Sequence, residues 1–143
     1  ASVRPEDYAS AGGMIQPYPG PWQIPREGLV VYDWSLGAAE KLEEEYSFTI
    51  EGFNDRLLHL CPIRDGWAVI GRTDKYLSPV AVEVLSSSPS ELKIRMVESG
   101  PLSVWCDRGT PNVAGASVEA CGGGLFHVPM PTGNRDQIVT ITR

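Results

Sequence analysis

Residues 61–84 constrain the fold more than any other stretch, because two strand-like runs meet there across a turn-rich connection. Residues 67–71 are apolar at both alternating positions, which is the pattern of a β-strand buried on both faces. Residues 80–85 form a second run rich in β-branched side chains, and Asp74 and Pro79 between the two runs favour turns. The sequence therefore predicts that this stretch forms the core of a sheet.

The composition favours an all-β fold built from short strands. The 143 residues include 15 Gly and 12 Pro, more than helical bundles tolerate, and strand-like segments separated by turn signals recur along the chain. This spacing predicts an antiparallel β-sandwich of about nine or ten strands. We assign the sandwich to residues 29–143, a length that suffices for one hydrophobic core.

The most regular alternation in the sequence lies at residues 41–50. Tyr46, Phe48 and Ile50 alternate there with polar side chains, which predicts one continuous strand with a solvated face. Residues 29–34, with the sequence LVVYDW, predict the strand before it. The sandwich is therefore expected to begin at residue 29.

Residues 1–28 differ in character from the rest of the chain. Gly12, Gly13 and the prolines between residues 17 and 25 restrict the backbone and remove hydrogen-bond donors. This segment is predicted to be an extended, Pro-rich strap or linker, and the absence of an initial Met favours a piece of a longer protein. The strap is expected to pack on a surface through its apolar side chains, which are Met14, Ile15, Tyr18, Trp22 and Ile24.

Charge and cysteine content restrict the class of partner. With 12 basic and 18 acidic residues the net charge is −6, and no Lys/Arg cluster offers the basic surface that nucleic acid requires. No apolar run reaches the roughly 18 residues of a membrane span, so a membrane partner is not expected. Three cysteines do not make a disulfide framework, which favours a reducing compartment such as the cytoplasm.

The sequence offers no assembled set of catalytic residues. Asp65 and Asp74 bracket residues 67–71, but a strand of that length holds them farther apart than the roughly 5–10 Å that glycosidic chemistry requires. Both have the sequence context of turn residues. Glu43 and Glu45 share a face that is typical of a solvated strand surface. No catalytic residue is therefore assigned.

Two histidines and two cysteines could in principle hold a zinc ion. His59 and Cys61 are two residues apart and point the same way in a strand, and Cys121 with His127 would complete four ligands. The spacing lacks a compact pair such as C-x-x-C, so packed or capped side chains are the favoured interpretation. Neither a metal nor another cofactor is predicted.

Three of the four tryptophans are candidate contacts for a sugar or for a neighbouring domain. An exposed indole offers an apolar face to the C–H surface of a pyranose, and Trp22, Trp34 and Trp105 are the candidates, whereas Trp67 is assigned to the core. Alternation places Trp105 with Ser103 on a face that is predicted to be external. The alternative is that Trp105 packs against a neighbouring domain or against the strap.

Three segments of the chain resemble a known family. They are residues 2–7 (SVRPED), 68–76 (AVIGRTDKY) and 94–105 (IRMVESGPLSVW). In this order they are similar to the C-terminal part of raffinose synthases and seed imbibition proteins, which are related to the α-galactosidases of glycoside hydrolase family 36. Near the second segment the chain keeps these residues of the family's pattern: Ile70, Gly71, Asp74, Tyr76 and Ser78. It departs from the pattern at Arg72, Leu77 and Pro79.

The resemblance implies that this chain does not carry the catalytic residues. In that family, the first segment follows a catalytic (β/α)8 barrel and the second lies in a C-terminal β domain, so the two catalytic Asp residues would belong to a barrel that precedes this chain. Residues 1–28 would then be the linker from the barrel, and the barrel would be the partner of residues 29–143.

Three functional hypotheses follow. The first is a non-catalytic β-sandwich domain that stabilises the barrel of a carbohydrate-active enzyme acting on α-galactosides, either a hydrolase or a galactosyltransferase. The second is a self-sufficient carbohydrate-binding module that uses Trp105 with Trp22 or Trp34. The third is a structural sandwich that binds a protein through the strap.

Overall fold

The computed structural model describes residues 1–14 and 20–143, in which β-structure dominates. The described residues form thirteen strands, one α-helix (α1, Pro5–Met14) and one 3₁₀ helix (Ser78–Ala81). The strands are β1 Ser2–Val3, β2 Leu29–Asp33, β3 Ala38–Leu42, β4 Tyr46–Ser47, β5 Leu58–Pro62, β6 Trp67–Arg72, β7 Val82–Ser87, β8 Glu91–Glu98, β9 Leu102–Cys106, β10 Asn112–Val113, β11 Glu119–Gly122, β12 Leu125–Val128 and β13 Arg135–Thr142. The predicted all-β sandwich is confirmed, with thirteen strands rather than nine or ten because the two-residue strands β1, β4 and β10 are too short to show a period.

The strands form antiparallel sheets that pack in three layers. The central sheet has the order β11-β12-β9-β6, and the C-terminal sheet has the order β10-β13-β8-β7. The N-terminal sheet has the order β3-β2-β5, and β1 pairs with β4 in a separate ribbon. One core joins the central and C-terminal sheets, and a second core joins the central and N-terminal sheets. The central sheet is therefore covered on both faces.

The two cores explain the unbroken apolar run in β6. Trp67 belongs to the core shared with the C-terminal sheet, whereas Ala68 and Ile70 belong to the core shared with the N-terminal sheet. All five residues of β9, the neighbour of β6, are buried for the same reason. The prediction that residues 67–71 form a strand buried on both faces is confirmed.

A tight hairpin joins β5 to β6 and fixes the stretch on which the fold is built. Asp65 and Gly66 have φ angles of +53° and +77°, the left-handed pair that a two-residue type I′ turn requires. The Glu27 carboxylate accepts hydrogen bonds from both backbone N–H groups at 2.7 Å. Arg143 donates to the Asp65 carbonyl at 3.0 Å, so a residue just before β2 and the residue that follows β13 both hold this turn.

The predicted extended strap is wrong over residues 5–14, which form helix α1. Pro5 stands at the first helical position, where its missing N–H costs nothing, and Glu6 and Asp7 lie in the first turn, where acidic side chains are favourable. The Asp7 carboxylate accepts a hydrogen bond from the Arg4 backbone N–H at 2.8 Å. The helix-breaking glycines and prolines begin only at Gly12, so enough residues precede them to form a helix. The strap residues Ile15, Pro17, Tyr18 and Pro19 lie outside the described residues.

The continuous strand predicted at residues 41–50 is also wrong. Strand β3 ends at Leu42, a bend follows at Glu43 and Glu44, and only Tyr46–Ser47 resume strand structure as β4. The two short strands pair with different partners, since β3 pairs with β2 whereas β4 pairs with β1. Glu44, which interrupts the alternation of apolar and polar residues in the sequence, lies in the bend where the partner strand changes.

Candidate functional site

Trp105 is a core residue, and its predicted external position is wrong. Its side chain is 6% exposed and lies in the core between the central and N-terminal sheets. Its Nε1–H donates a hydrogen bond to the Gly123 carbonyl at 2.8 Å. The alternation was read correctly, because Trp105 does face away from Val104, but the N-terminal sheet covers that face. Trp67 is also core, as predicted, and donates to the Ser88 carbonyl at 2.9 Å.

Trp22 packs against helix α1. Its ring lies 5.3 Å from that of Tyr8, and its backbone N–H donates to the Ala9 carbonyl at 3.0 Å. A Cβ at Gly12 would lie only 2.5 Å from the indole, so the helix and Trp22 fit closely at this glycine. Trp22, Trp34 and Trp105 therefore do not form one platform, because each has different neighbours.

Trp34 is the predicted site residue that lies beside an exposed aromatic ring. It follows β2 directly, is half-buried, and its ring centroid is 4.8 Å from that of Tyr76, with the planes tilted by 33°. Tyr76 belongs to the loop between β6 and the 3₁₀ helix and is 68% exposed. Leu36 nearby in sequence is also exposed. The structure therefore offers an aromatic corner at one end of the N-terminal sheet.

His59 adjoins this corner on the inner face of the N-terminal sheet. It pairs with Tyr32 across β5 and β2, and the two rings stack at 6.2 Å. Burial lowers the pKa of His59, while a backbone hydrogen bond with Tyr76 acts in the opposite direction. In a neutral imidazole one ring nitrogen donates and the other accepts, so Nε2 is an acceptor in the tautomer that carries its proton on Nδ1.

Two buried nitrogens in this corner have no hydrogen-bond partner. They are Nε1 of Trp34, which can only donate, and Nε2 of His59. The Trp34 backbone N–H donates to the Leu57 carbonyl at 3.0 Å, which makes Trp34 and His59 diagonal neighbours on one sheet face. Such neighbours lie roughly 7–8 Å apart at their backbones, within reach of aromatic side chains. We call Trp34, His59 and Tyr76 the aromatic corner.

Three residues of the family-like pattern, Gly71, Asp74 and Ser78, anchor the loop that carries Tyr76, together with Arg72, where the chain departs from that pattern. Gly71 has φ +96° at an irregularity in β6, and a Cβ there would lie 2.0 Å from the Ser78 carbonyl oxygen. Ser78 is fully buried and donates to the Lys75 carbonyl at 2.7 Å. Arg72 is buried and donates to both oxygens of Asp74 at 3.0 and 2.6 Å, which lowers the pKa of that carboxyl. These residues shape the loop.

A second feature is an apolar surface at the open edge of the sandwich. Strands β6 and β7 are the edge strands of their sheets, and the gap between them is a cleft of about 250 Å³. Its lining is almost entirely apolar and consists of Pro62, Arg64, Trp67, Val69, Pro79, Val82, Val84, Ser87 and Leu92. Leu77 and Val80, at the 3₁₀ helix whose Pro79 lines the cleft, are exposed, and with Val97 they line a second pocket that also holds Arg72, Lys75 and Glu98. Leu85 of β7 is exposed as well. We call the cleft and these side chains the edge surface.

The four potential zinc ligands do not form a metal site in the described part of the chain. Cys61 is buried in an apolar core, which raises the pKa of its thiol to about 12. Cys121 is exposed, and His127 Nδ1 lies 3.3 Å from the Ser103 hydroxyl. Within residues 1–14 and 20–143, no three His, Cys, Asp or Glu side chains are grouped as a metal site would require. Asp65 is a turn residue, as predicted.

No protein-family model matches this chain, and no curated protein matches it significantly. Among the described residues, no helix is both long and apolar enough to cross a membrane.

Proposed function

We propose that the chain is a non-catalytic β-sandwich domain of a carbohydrate-active enzyme similar to raffinose synthases and α-galactosidases, and that it stabilises a catalytic barrel in the same polypeptide. The observation that carries the proposal is the edge surface. Soluble proteins seldom leave a contiguous group of large apolar side chains in water unless the group binds something. Val80 is 74% exposed and Leu77 is 67% exposed on this surface.

The neighbouring outer face of the C-terminal sheet has a different character. Arg95 forms ion pairs with Glu83 and Asp136 there, and Lys93 lies on the same face. Ile138 is an exposed apolar side chain on this face, opposite Arg95. The contrast between the two surfaces supports a specific contact through the edge surface.

The family-like pattern supports the same proposal through its structural use. Gly71, Asp74 and Ser78 of the pattern shape the loop that borders the edge surface, and Asp74 does so through Arg72, where the chain departs from the pattern. Residues that shape a loop beside a contact surface are what an accessory domain needs. The barrel that the resemblance implies is the partner that we propose.

The proposal is tested in the complete polypeptide that carries this chain. Its coding sequence upstream of Ala1 should encode a (β/α)8 barrel. In that protein, Val80→Asp should lower the Tm of the barrel by several degrees, whereas Ile138→Asp, also at an exposed apolar side chain, should leave it unchanged. In residues 1–143 alone, both variants should change stability by less than about 0.5 kcal/mol, as exposed substitutions do. Equal effects of the two variants in the complete protein would contradict the proposal.

A further inference from the structure

We propose that the aromatic corner is a binding site for a neutral sugar ring, with Tyr76 and Trp34 packing on its C–H surface and one hydroxyl bridging Trp34 and His59. The choice of a sugar as ligand rests on the proposed function, whereas the site itself rests on the geometry of these three residues.

The first argument concerns the two unpartnered nitrogens. A buried polar atom without a partner costs about 1–3 kcal/mol, so native structures leave few of them and each requires an explanation. Here Trp34 Nε1–H, a donor, and His59 Nε2, an acceptor in one tautomer of the neutral ring, occur on one sheet face. A hydroxyl group can accept one hydrogen bond and donate another, so it offers what both atoms require.

The second argument concerns the aromatic rings. The Tyr76 ring covers Trp34 at 4.8 Å yet has most of its own surface in water. Its loop is anchored on one side by the Arg72–Asp74 ion pair and on the other by buried Ser78. The backbone is therefore held, whereas most of the side chain is exposed. Rotation of Tyr76 would uncover the Trp34 indole and leave two aromatic surfaces for the ligand.

The third argument concerns charge. The neighbouring charged groups already have partners, since Lys75 pairs with Glu98 and Asp74 with Arg72. Asp33, which precedes Trp34, points to the opposite face of its sheet and accepts hydrogen bonds from Arg56. Burial favours the neutral form of His59. A site without free charge suits an uncharged sugar better than a phosphorylated or acidic one.

The test follows the indole N–H signals of the ¹⁵N-labelled chain by NMR during titration with methyl α-galactoside and methyl α-glucoside. The indoles of Trp67 and Trp105 are internal controls, because both donate to backbone carbonyls. We expect the Trp34 signal, assigned through Trp34→Phe, to shift with a millimolar Kd while those two signals remain in place. The linear polyol mannitol is the ligand control and should cause no shift.

Variants test whether the shift of the Trp34 signal comes from binding at the aromatic corner or from a general effect of added sugar on the solvent. Tyr76→Ala should weaken binding about tenfold or more, equivalent to about 1.4 kcal/mol. Phe53→Ala removes a different aromatic ring, which is fully exposed, and should leave binding unchanged. A Trp34 signal that no sugar moves, that mannitol moves equally, or that responds unchanged in Tyr76→Ala would overturn the proposal. Val80→Asp should bind sugar normally, so failure of this site and failure of the edge contact are distinguishable.

Discussion

Replacing Gly71 by Ala should destabilise the protein strongly, because two independent costs meet at this residue. The first is conformational, since its φ of +96° lies in a region that costs an L-residue about 1–2 kcal/mol. The second is steric, since the added Cβ would lie 2.0 Å from the Ser78 carbonyl oxygen. That oxygen is backbone at the start of the 3₁₀ helix, so the helix must move, at a cost of about 1–3 kcal/mol that is typical of overpacking. We expect a loss of about 2–5 kcal/mol in all.

Two other glycines separate these costs experimentally. Gly115 has φ +76° with nothing within 4 Å of an added Cβ, so Gly115→Ala should show the conformational cost alone, about 1–2 kcal/mol. Gly20 has open space and no positive φ, so Gly20→Ala should change stability by less than about 0.5 kcal/mol. Urea unfolding followed by tryptophan fluorescence gives all three free energies, with equal m-values expected.

The difference between Gly71→Ala and Gly115→Ala measures the approach of the Ser78 carbonyl to β6. If the two variants lose the same free energy, this close contact does not exist in solution. The view that the family-like pattern serves to shape the Tyr76 loop would then be refuted.

Three further predictions concern other sites. At pH 8 a thiol reagent should modify exposed Cys121 first, whereas Cys61 and Cys106 should react only after unfolding, because burial raises the pKa of both thiols. Burial lowers the pKa of His59, so the folded state binds a proton at this ring less readily than the unfolded chain does. The free energy of unfolding should therefore fall as pH drops below about 6.5. This fall should be smaller in His59→Gln. Arg143→Met should cost about 2–4 kcal/mol in urea unfolding, since the buried guanidinium donates to the Asp107 carboxylate and to three backbone carbonyls; a loss under about 0.5 kcal/mol would contradict these contacts.

The sequence predicted the position of a central strand better than it predicted what covers the faces of the strands. Residues 67–71 indicated a doubly buried strand because burial on two faces removes polar residues from both alternating positions. The same rule applied to Trp105 gave a wrong answer, because Ser103 on the same face suggested solvent. Ser103 is in fact buried and lies 3.3 Å from His127, so a small polar residue was satisfied inside the core. Alternation identifies the face of a strand but not what covers it.

The aromatic corner could be predicted only in part. Trp34 was a candidate from its residue type alone, and Tyr76 was noted only as part of the family-like pattern. Their contact joins residues more than forty positions apart and depends on how the N-terminal sheet packs on the central sheet. His59 had been considered as a zinc ligand, and only its pairing with Tyr32 directs it toward the aromatic rings. Such long-range packing has no local signal in the sequence.

The order in which the strands join the sheets has a consequence for how the protein opens and folds. From β6 onward the chain passes back and forth between the central and C-terminal sheets, so neither of these sheets can be completed without the other. The N-terminal sheet instead takes its three strands from one contiguous stretch, residues 29–62. We therefore expect native-state hydrogen exchange to reveal two cooperative units, with the amides of β2, β3 and β5 exchanging through a partial opening and those of β8, β9 and β13 only through global unfolding.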